Sequence, residues 1–511
     1  MGAEPSQKSL EELEQQLLAD PLGEGPVQAY FDCAQSNGKL ARARRIFSAL
    51  IHHHPLDRRL NSLYIALCLT AGDHAAAMES IQTLMAAACP PEDALLDAAL
   101  AVGSRLSPRG IASVRHPRLS LCMIARDEAL NLSRCLHYNK PLVDEIVVVD
   151  TGSRDRTKDI AKVFGARVFD FPWRDDFAAA RNFALDQACG EWILVLDADE
   201  IIAGQDFKSL RALLDQADQR QTVAAYALDT RNYTHTANAV GWQPNDDRYA
   251  AHEAGLGWFP STKVRLFKRD KTIRFHFAVH ERVEPSLKAA GMLSAPCAIP
   301  VHHYGHLDET RNQQKALAYY QLGYAKLGQT ANDLPALREL AVQAGQLERW
   351  QEAIELWQRL LCICPDYPEA LVNLASAYWN RGQYALSLQW AQKAACRSPQ
   401  MKEARYNVGV SHLLMGQARQ ATEILSSLVD QYPDYLAARF MLAASCGCQG
   451  QGQTAGDHLH HLQSTPAGPA LTLAVQDLVQ RLRRAGRSLE AARLLKAAGL
   501  VLDLSKFKGS D

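Results

Sequence analysis

Two aspartates one residue apart, Asp197 and Asp199, follow a run of apolar residues at 192–196. A polar pair directly after such a run is expected where a buried strand ends and a loop begins. Both carboxylates can then face one site, and carboxylate oxygens are the ligands that Mg²⁺ and Mn²⁺ prefer. Such a cation can neutralise the charge of a departing diphosphate. The alternative is that the two acids only cap a following helix or belong to a loop.

Two further segments place polar residues after apolar runs in the same way. They are Arg126, Asp127 and Glu128 after residues 119–124, and Asp150, Thr151 and Ser153 after residues 145–149. No Gly-x-Gly-x-x-Gly pattern and no P-loop pattern follows any of these runs. The sequence therefore predicts neither a dinucleotide-binding fold nor a P-loop. A nucleotide, if one is bound, must be held in another way.

The elements that position these residues alternate between strand and helix from about residue 117 to residue 305. Four apolar runs predict strands, at 119–124, 145–150, 166–171 and 192–200. Helical spacing follows the first three runs, within residues 125–138, 151–165 and 175–188. This alternation predicts an α/β fold with a mostly parallel sheet covered by helices. Ligands of such sheets bind beyond the carboxyl ends of the strands, so the polar strand ends are the candidate site.

Four segments of this region together resemble the inverting glycosyltransferases of family 2, which have the GT-A fold. The segments are LSLCMIARDEALNLSRCL, VDEIVVVDTGSRDRTKDIAK, DDFAAARNFAL and GEWILVLDADE, in the order and at the spacing of that family. The resemblance covers about residues 117–305 and extends to bacterial members that carry tetratricopeptide repeats. It implies a Rossmann-like catalytic domain that binds a nucleotide diphosphate sugar and a divalent metal ion, Mg²⁺ or Mn²⁺.

The resemblance also implies a role for each strand-end residue. Asp199 is expected to coordinate the metal, and Asp197 to contact the ribose or to reach the metal directly or through water. Asp150 is expected to accept a hydrogen bond from a uracil ring, with Thr151 and Asp155 in the turn that follows. An alternative for Asp155, compatible with the first, is that it caps a helix beginning near residue 156.

The same family implies contacts on the nucleoside and on the diphosphate. Residues 126–128 are expected to wrap the nucleoside, but they read Arg-Asp-Glu where relatives more often have Lys-Asn-Glu. An Asp in place of the Asn lacks a donor, which puts the family's contact at Asp127 in doubt. Arg181, in an Ala-Arg-Asn motif, is expected to reach the diphosphate as a fixed cation. The alternative is a solvated helix arginine.

The acceptor side of the reaction needs a base when the acceptor is a hydroxyl group, and less help when it is a thiol. His280 and Glu281 resemble a His-Glu pair that recurs late in the catalytic domain of these relatives. His280 is therefore a candidate metal ligand, and Glu281 a candidate general base. An ordinary ion pair of Glu281 with Arg282 or Arg265 is the alternative. The rival bases are Asp246 and Asp247.

Two histidine clusters lie outside these motifs. The three consecutive histidines at 52–54 precede Pro55 at the end of a predicted repeat helix, and they are expected to be solvated. His302 and His303, with His306 nearby, follow a strand-like apolar stretch. Structural or supporting roles are expected for them, and the alternative is a place in the active site, because relatives carry a histidine nearby.

A period of 34 residues is present on both sides of the α/β region. It relates Pro365, Pro399 and Pro433, then Gly382, Gly416 and Gly450, and, near the N-terminus, Gly38 and Gly72. Each unit predicts two amphipathic helices with a glycine at the turn, and this pattern resembles the tetratricopeptide repeat. Such units stack because none buries its apolar face alone.

The predicted domains follow from these patterns. They are an N-terminal repeat-like helical region (1–115), the GT-A domain (117–305), a C-terminal repeat solenoid with a helical cap (310–500) and a tail (501–511). The repeats are expected to offer a surface for a peptide or protein. The alternative is that they act as a spacer or a dimerisation module.

Composition excludes several classes of protein. The 55 Lys and Arg nearly cancel the 56 Asp and Glu, so no bulk charge points to nucleic acid or an anionic membrane. No apolar run approaches the ~18 residues of a membrane span, and the acidic N-terminal segment is unlike a secretory signal. The twelve cysteines form no CxxC pairs, which predicts reduced thiols in the cytoplasm.

The resemblance, together with these features, predicts an inverting glycosyltransferase that moves a sugar from a UDP-linked donor to a peptide, a protein or a cell-envelope saccharide. The alternative is a repeat scaffold with an inactive transferase domain, against which the carboxylates at the strand ends argue. A nucleotidylyltransferase would need a glycine-rich basic loop after the first strand, and the sequence there has no glycine. The sequence leaves the sugar, the acceptor, the metal and the oligomeric state open.

Overall fold

The computed structural model describes residues 9–88, 90–106, 118–220, 223–235, 242–279, 281–308, 333–465 and 468–499, with a few positions between 312 and 327. The chain divides into two compact units. The first consists of residues 1–230 and 262–303, and the second of residues 231–261 and 304–511.

The first unit opens with six helices of the N-terminal repeat region. They are α1 (Leu10–Ala19), α2 (Glu24–Ser36), α3 (Leu40–His53), α4 (Arg58–Thr70), α5 (His74–Ala87) and α6 (Asp93–Gly103). Helices α2 and α4 begin 34 residues apart, and so do α3 and α5. Gly38 and Gly72 have φ of 64° and 71° at the turns, a conformation that favours glycine. The predicted helical repeat is confirmed in this region.

The strands within the described residues form one sheet. They are β1 (Leu119–Ala125), β2 (Glu145–Asp150), β3 (Arg167–Asp170), β4 (Trp192–Val195), β5 (Glu200–Ile202), β6 (Val223–Thr234), β7 (Gln243–Pro244), β8 (Gly257–Lys268) and β9 (Leu293–His303). The helices between them are α7 (Leu132–Asn139), α8 (Thr157–Val163), α9 (Phe177–Gln187), α10 (Phe207–Arg220) and α11 (Glu284–Ala289). The division between the two compact units falls within β6 and β8.

The sheet is mixed, with the order β3-β2-β1-β4-β8-β6-β9-β5 and with β7 paired to β8. Strands β1 to β4 are parallel to their neighbours within that group, whereas β4 pairs antiparallel with β8, and β5 with β9. The parallel half is the part that the alternation of strands and helices predicts. The α/β fold with a mostly parallel sheet in the middle region of the chain is confirmed.

The inner parallel strands β1, β2 and β4 are mostly apolar because both of their faces are buried. Along β1, Leu121 and Met123 belong to one hydrophobic cluster, and Cys122 belongs to the cluster on the other face. This alternation is the two-residue period of a strand. The strand ends are therefore held rigidly between two cores.

The N-terminal repeats pack against the helices of the sheet within the first unit. Gln82 of α5 is buried, donates to the carbonyl of Val163 at 2.6 Å and accepts from Nζ of Lys140 at 2.9 Å. Arg156, before α8, lies 2.8 Å from a carboxylate oxygen of Asp97 in α6. These polar contacts accompany a hydrophobic cluster that contains residues of both regions.

The second unit contains the C-terminal repeats. Its helices are α12 (Leu334–Gln346), α13 (Trp350–Ile363), α14 (Pro368–Asn380), α15 (Tyr384–Arg397), α16 (Lys402–Leu414), α17 (Ala418–Gln431), α18 (Leu436–Cys448), α19 (Gly452–Gln463), α20 (Gly468–Arg484) and α21 (Ser488–Ala497). The first helices of successive pairs, α12, α14, α16 and α18, begin 34 residues apart. The predicted repeat is confirmed, and two further helices, α20 and α21, follow it.

Residues 231–261 belong to the second unit although they contain the end of β6, the whole of β7 and the start of β8. Trp242 is fully buried in the hydrophobic cluster of the C-terminal repeats, and its carbonyl accepts a hydrogen bond from Nζ of Lys402 at 3.1 Å. The predicted domain boundaries, which keep 117–305 together, stay a prediction. Among the described residues, no helix is both long enough and apolar enough to cross a lipid bilayer.

Two elements differ from the sequence prediction. The run 192–200 is not one strand: β4 ends at Val195, and β5 starts at Glu200 and pairs elsewhere. Residues 125–138 are helical only from Leu132, because residues 126–131 form a turn in which Asp127 has a φ of 53°. In both places the polar residues leave the regular element and enter a loop.

Candidate active site

The turn between β4 and β5 gives the two predicted aspartates different surroundings. Oδ1 of Asp197 lies 2.7 Å from Nη2 of Arg181, and its Oδ2 lies 3.8 Å from Nη1 of Arg265. Burial alone would raise the pKa of Asp197, but the two guanidinium groups outweigh burial and hold that pKa well below its usual range. Asp197 is therefore an ionised carboxylate that already has two cationic partners.

Arg181 lies on α9 and is buried, so it is not a solvated helix arginine. Its Nε lies 2.6 Å from Oε1 of Glu281, and its guanidinium stands over the ring of Phe275 at 5.6 Å. Nη1 is also buried and has no hydrogen-bond partner within the described residues. Burial lowers the pKa of Arg181, but the carboxylates of Asp197 and Glu281 outweigh it, and the pKa is raised.

Asp199 faces a different partner. Its side chain is buried, and Oδ1 lies 3.5 Å from Nε2 of His303 at the end of β9. The antiparallel register that pairs Glu200 with His303 brings these two residues together. Burial lowers the pKa of His303, but the nearby carboxylates, with Asp199 foremost, outweigh it and raise the pKa above its usual value.

A buried ion pair between Arg265 and Glu200 stabilises the turn between β4 and β5. Nη2 of Arg265 in β8 lies 2.5 Å from Oε1 of Glu200, and both side chains are almost fully buried. Oε2 of Glu200 accepts from the N–H of Asp197 at 2.8 Å. Glu200 therefore orients the turn rather than facing a ligand. Sequence reasoning missed this pair, although a charged residue inside the apolar run of β8 is a signal that could have indicated it.

The end of β2 presents a carboxylate with one oxygen in use. Oδ1 of Asp150 accepts from the N–H groups of Gly152 and Ser153 at 3.0 and 2.9 Å. Oδ2 is buried and has no partner within the described part of the chain. Thr151 next to it donates its N–H to the carbonyl of Ala125. The loop after β2 thus fixes Asp150 and leaves one buried acceptor.

The loop after β1 is tied to the loop after β2. The N–H of Asp127 donates to Oγ of Ser153 at 2.9 Å, and Oδ1 of Asp127 accepts from the N–H of Arg154 at 2.7 Å. The N–H of Glu128 donates to Oγ1 of Thr157 at 2.8 Å. The side chain of Asp127 acts here as an acceptor, a role that needs no side-chain donor.

Two more residues complete this pair of loops. Asp155 accepts from the N–H of Thr157 at 3.0 Å at the start of α8, and its other oxygen accepts from the N–H of Ala129 at 3.0 Å. Asp155 precedes Arg156, the N-cap residue of α8, and its two oxygens join the loops after β1 and β2. Arg126 is exposed, with Nε 3.9 Å from a carboxylate oxygen of Asp127. Its side chain points out of the packed loop.

The candidate bases are separated between the compact units. Glu281 belongs to the first unit and pairs with Arg181, rather than with Arg282 or Arg265. Asp246 and Asp247 belong to the second unit, where Asp246 lies 3.0 Å from Arg231 and the N–H of Asp247 donates to Glu253 at 3.1 Å. The hydrogen bond of Arg231 lowers the pKa of Asp246 to about 2.

The remaining histidines differ in their surroundings. His280 lies outside the described residues. His302 is fully buried in β9, and the histidines at 52 and 53 end α3 with little burial.

Within the described residues, no group of three or more His, Cys, Asp or Glu side chains is arranged to hold a metal ion. Asp199 and His303 contact each other at the carboxyl end of the parallel strands.

The sequence around this site matches a known protein family. Residues 120–275 match the model of glycosyl transferase family 2. Residues 120–275 are a family 2 glycosyltransferase domain. Models of the tetratricopeptide repeat match residues 33–93, 338–404 and 403–435. The chain therefore combines a family 2 glycosyltransferase domain with tetratricopeptide repeats on both sides of it.

The relatives include a protein named for tetratricopeptide repeats and proteins named as glycosyltransferases. The chain is 38% identical over 208 residues to a TPR repeat-containing protein of Synechococcus elongatus, covering 39% of this chain and 45% of that protein. It is 25% identical over 173 residues to the SPbeta prophage-derived glycosyltransferase SunS of Bacillus subtilis, covering 32% and 34%. An uncharacterized glycosyltransferase of Rickettsia felis is 37% identical over 83 residues, covering 16% and 29%. The match thus spans less than half the length of each of these relatives.

Solved structures similar to the chain are repeat proteins. A thermophilic TPR protein of Thermus thermophilus is 18% identical and matches 35% of this chain and 98% of its own, with a TM-score of 0.28. The MamA protein is 16% identical and matches 35% of this chain and 97% of its own, with a TM-score of 0.25.

Proposed function

We propose that this chain is an inverting glycosyltransferase that takes a sugar from a UDP-linked donor. Its acceptor is a peptide, a protein or a cell-envelope saccharide. The observation that carries the proposal is the buried, unpartnered Oδ2 of Asp150, which lies in the same sheet edge as the Asp197–Asp199 turn. A buried acceptor without a donor is costly unless a ligand supplies one. The N3–H of a uracil ring is such a donor.

The donor site is built from the loops after β1, β2 and β4. Asp150 accepts from the base, and the joined loops at 126–129 and 151–157 enclose the nucleoside. Arg181 supplies a fixed positive charge for the diphosphate, and its buried Nη1 is the donor that remains for a ligand oxygen. Asp197 contacts the ribose and holds Arg181 in place.

The residues at the end of β4 fit a divalent metal ion. The donor set is one buried carboxylate, Asp199, and one imidazole, His303, whose Nε2 lies 3.5 Å from the carboxylate. Mn²⁺ and Mg²⁺ accept such donors and take their other ligands from substrate phosphates and water. When bound, the ion would neutralise charge on the departing diphosphate. His280 stays a candidate ligand, whereas Asp197 is occupied by two arginines.

Glu281 is the base that we propose for a hydroxyl acceptor. Arg181 contacts Oε1 of Glu281, and no hydrogen bond to Oε2 occurs among the described residues. One carboxylate oxygen is thus anchored while the other is available to take a proton. Asp247 is the rival, and a Glu281→Gln variant with unchanged turnover would favour it.

The free thiols of the eleven described cysteines support a cytoplasmic enzyme.

The repeats on both sides of the catalytic domain support an acceptor or partner that is a peptide or protein. Stacked helical repeats expose extended surfaces that are suited to chain-like ligands. A scaffold with an inactive domain is the alternative, and the experiment below distinguishes the two.

The test is calorimetric titration of the full chain with UDP, with and without Mn²⁺. We expect metal-dependent binding that is lost in Asp150→Ala and in Asp199→Ala. Asp215→Ala is the control, because Asp215 is an exposed acid of α10 that pairs with Arg118. No binding of UDP, GDP or dTDP to the wild type would favour the scaffold. Equal loss in all three variants would remove the assigned roles.

A further inference from the structure

An aromatic side chain is exposed close to the proposed base. Phe277 is 42% exposed and lies four residues before Glu281 in sequence. Both residues belong to a hairpin that His276 and Arg282 close, since the N–H of each donates to the carbonyl of the other, at 2.9 and 3.0 Å. An exposed ring and the proposed base therefore share one short hairpin, which belongs to the first compact unit.

The backbone of Phe277 is in the left-handed region, with a φ of 75°. The other non-glycine residues with positive φ, among those that the structure describes, are all Asp or Glu. A bulky residue in this conformation is an outlier, and such strain persists only where the surrounding structure holds it, often at functional sites. The fold thus holds a ring at the surface in a conformation that glycine or asparagine adopts at lower cost.

The hairpin is anchored to helix α9. Asn182 of α9 binds the backbone of Phe275, accepting from its N–H at 2.8 Å and donating to its carbonyl at 2.9 Å. The carbonyl of Ala278 accepts from the N–H of Phe177, the first residue of α9, at 2.8 Å. The ring of Phe277 is therefore carried by a fixed backbone, and a ligand that stacks on it orders little of the protein.

Much of the hairpin backbone is already hydrogen-bonded, which disfavours an extended peptide as the ligand. Peptides that pair with a strand bind mainly through main-chain hydrogen bonds. Here the backbone groups of His276 and Arg282 bond to each other, and the carbonyl of Ala278 is also in use. Recognition therefore depends on side chains, namely the exposed part of the Phe277 ring and the guanidinium of Arg282, 5.5 Å from the ring centroid. The C–H face of a pyranose stacks on such a ring, and a guanidinium donates to sugar hydroxyl groups.

We propose that Phe277 is the platform on which a saccharide acceptor stacks, with one hydroxyl group presented to Glu281. The inference rests on the proposed function and selects the saccharide among the acceptors left open there. The acceptor hydroxyl gives its proton to Glu281 while its oxygen forms the new bond to the sugar, and the nucleotide diphosphate leaves with the electrons of the broken bond. Phe277 positions the acceptor and takes no proton.

The test is saturation-transfer NMR of the full chain with UDP and Mg²⁺, with the methyl β-glycosides of glucose, galactose and N-acetylglucosamine as probes. We expect saturation transfer to the ring C–H protons of at least one probe, and none to sorbitol, which has hydroxyl groups but no ring. Phe277→Asn should lose this transfer, because asparagine tolerates the left-handed backbone but has no aromatic ring. Phe277→Trp should retain it.

Tyr138→Asn is the matched control. Tyr138 is 37% exposed on α7, and the buried residues of α7 pack in the hydrophobic cluster on the other face of the sheet from Phe275. This variant should bind the probes as the wild type does. Equal loss in both Asn variants would overturn the proposal. So would no transfer to any probe in the wild type, or binding of a short serine peptide that depends on Phe277.

Calorimetry with UDP reports separately on the proposed function. Phe277→Asn should bind UDP as tightly as the wild type, because the ring is assigned to the acceptor and not to the donor. Loss of UDP binding in this variant would show that Phe277 maintains the donor site, and would overturn the proposal. A wild type that binds the glycosides but not UDP would support the platform and remove the proposed donor.

Discussion

At the scale of single residues, the catalytic domain concentrates charge where the strands end. Arg181 and Arg265 face Asp197, Glu200 and Glu281 in a buried network, and Asp199 stands beside it with His303. Buried ion pairs contribute little net stability, but the loss of one member leaves an uncompensated charge. The network therefore makes the geometry of the turn sensitive to each of its residues.

Arg181→Gln should destabilise the first unit by about 3–5 kcal/mol, because Asp197 and Glu281 would both lose their shared buried partner. The measurement is the urea concentration at the midpoint of unfolding, compared between the wild type and the variant. Arg274→Gln is the matched control: Arg274 pairs with the exposed Asp186 at 2.7 Å, and its loss should change stability by about 1 kcal/mol or less. Similar midpoints for both variants would contradict a structural role for the network.

Asp150→Asn should separate recognition of the base from the structure of the loop. The amide oxygen can still accept from the N–H groups of Gly152 and Ser153, but an amide nitrogen replaces the free carboxylate oxygen. We expect UDP affinity to fall by about 10- to 100-fold, since a hydrogen bond to a charged group contributes about 1.5–3 kcal/mol. Calorimetry measures this, and thermal unfolding should be nearly unchanged. Wild-type affinity in this variant would exclude Asp150 from base recognition.

At the scale of elements, regular spacing was predictable and irregular geometry was not. The 34-residue period fixes where helices such as α14 and α16 begin, because every unit must repeat the same packing. The break between β4 and β5 was not visible, because residues 192–200 read as one apolar run with acids at its end. Only the pairing of β5 with β9 shows that the run changes direction.

The same limit applies to the site. Asp150, Asp197 and Asp199 could be singled out because they follow strands, which is a local pattern. The contact of Asp199 with His303 depends on a register between residues about a hundred positions apart in sequence, and no local pattern encodes it. The sequence suggested Arg265 only as a possible ion-pair partner of Glu281, whereas the structure pairs it with Glu200.

The contact between the N-terminal repeats and the catalytic domain is an element-scale feature that can be tested at Gln82. Gln82→Ala removes the partner of Val163 and of Lys140 and leaves both polar groups inside the interface. The expected cost is about 1–3 kcal/mol. Thermal unfolding of the full chain measures it. Gln28→Ala is the control, because Gln28 is exposed and bonds only to Asp32 one turn away. Equal melting temperatures would mean that the polar contacts do not hold this interface.

At the scale of the whole molecule, the chain passes between the two compact units three times, near residues 230, 261 and 303. The excursion at 231–261 contributes Trp242 to the core of the C-terminal repeats. A solenoid of repeats is stabilised mainly by contacts between neighbouring repeats. Trp242 comes from outside the repeats in sequence, so its packing in their core adds a contact between distant parts of the chain. The C-terminal repeats are therefore not energetically independent of a segment that interrupts the catalytic region in sequence.

This dependence predicts that Trp242→Ala destabilises the C-terminal repeats by about 3–5 kcal/mol, the usual cost of a large buried aromatic side chain. The change removes no group that contacts the Asp197–Asp199 turn, so metal-dependent UDP binding should persist below the unfolding transition. Leu473→Ala is the control, since Leu473 is 70% exposed on α20 and should shift stability by no more than about 0.5 kcal/mol. Hydrogen exchange along α16 to α19 locates the effect, because amides near the lost contact should open first. Unchanged exchange in these helices would show that the repeats fold without the inserted segment, and the division of the sequence into separate consecutive domains would then be the better description.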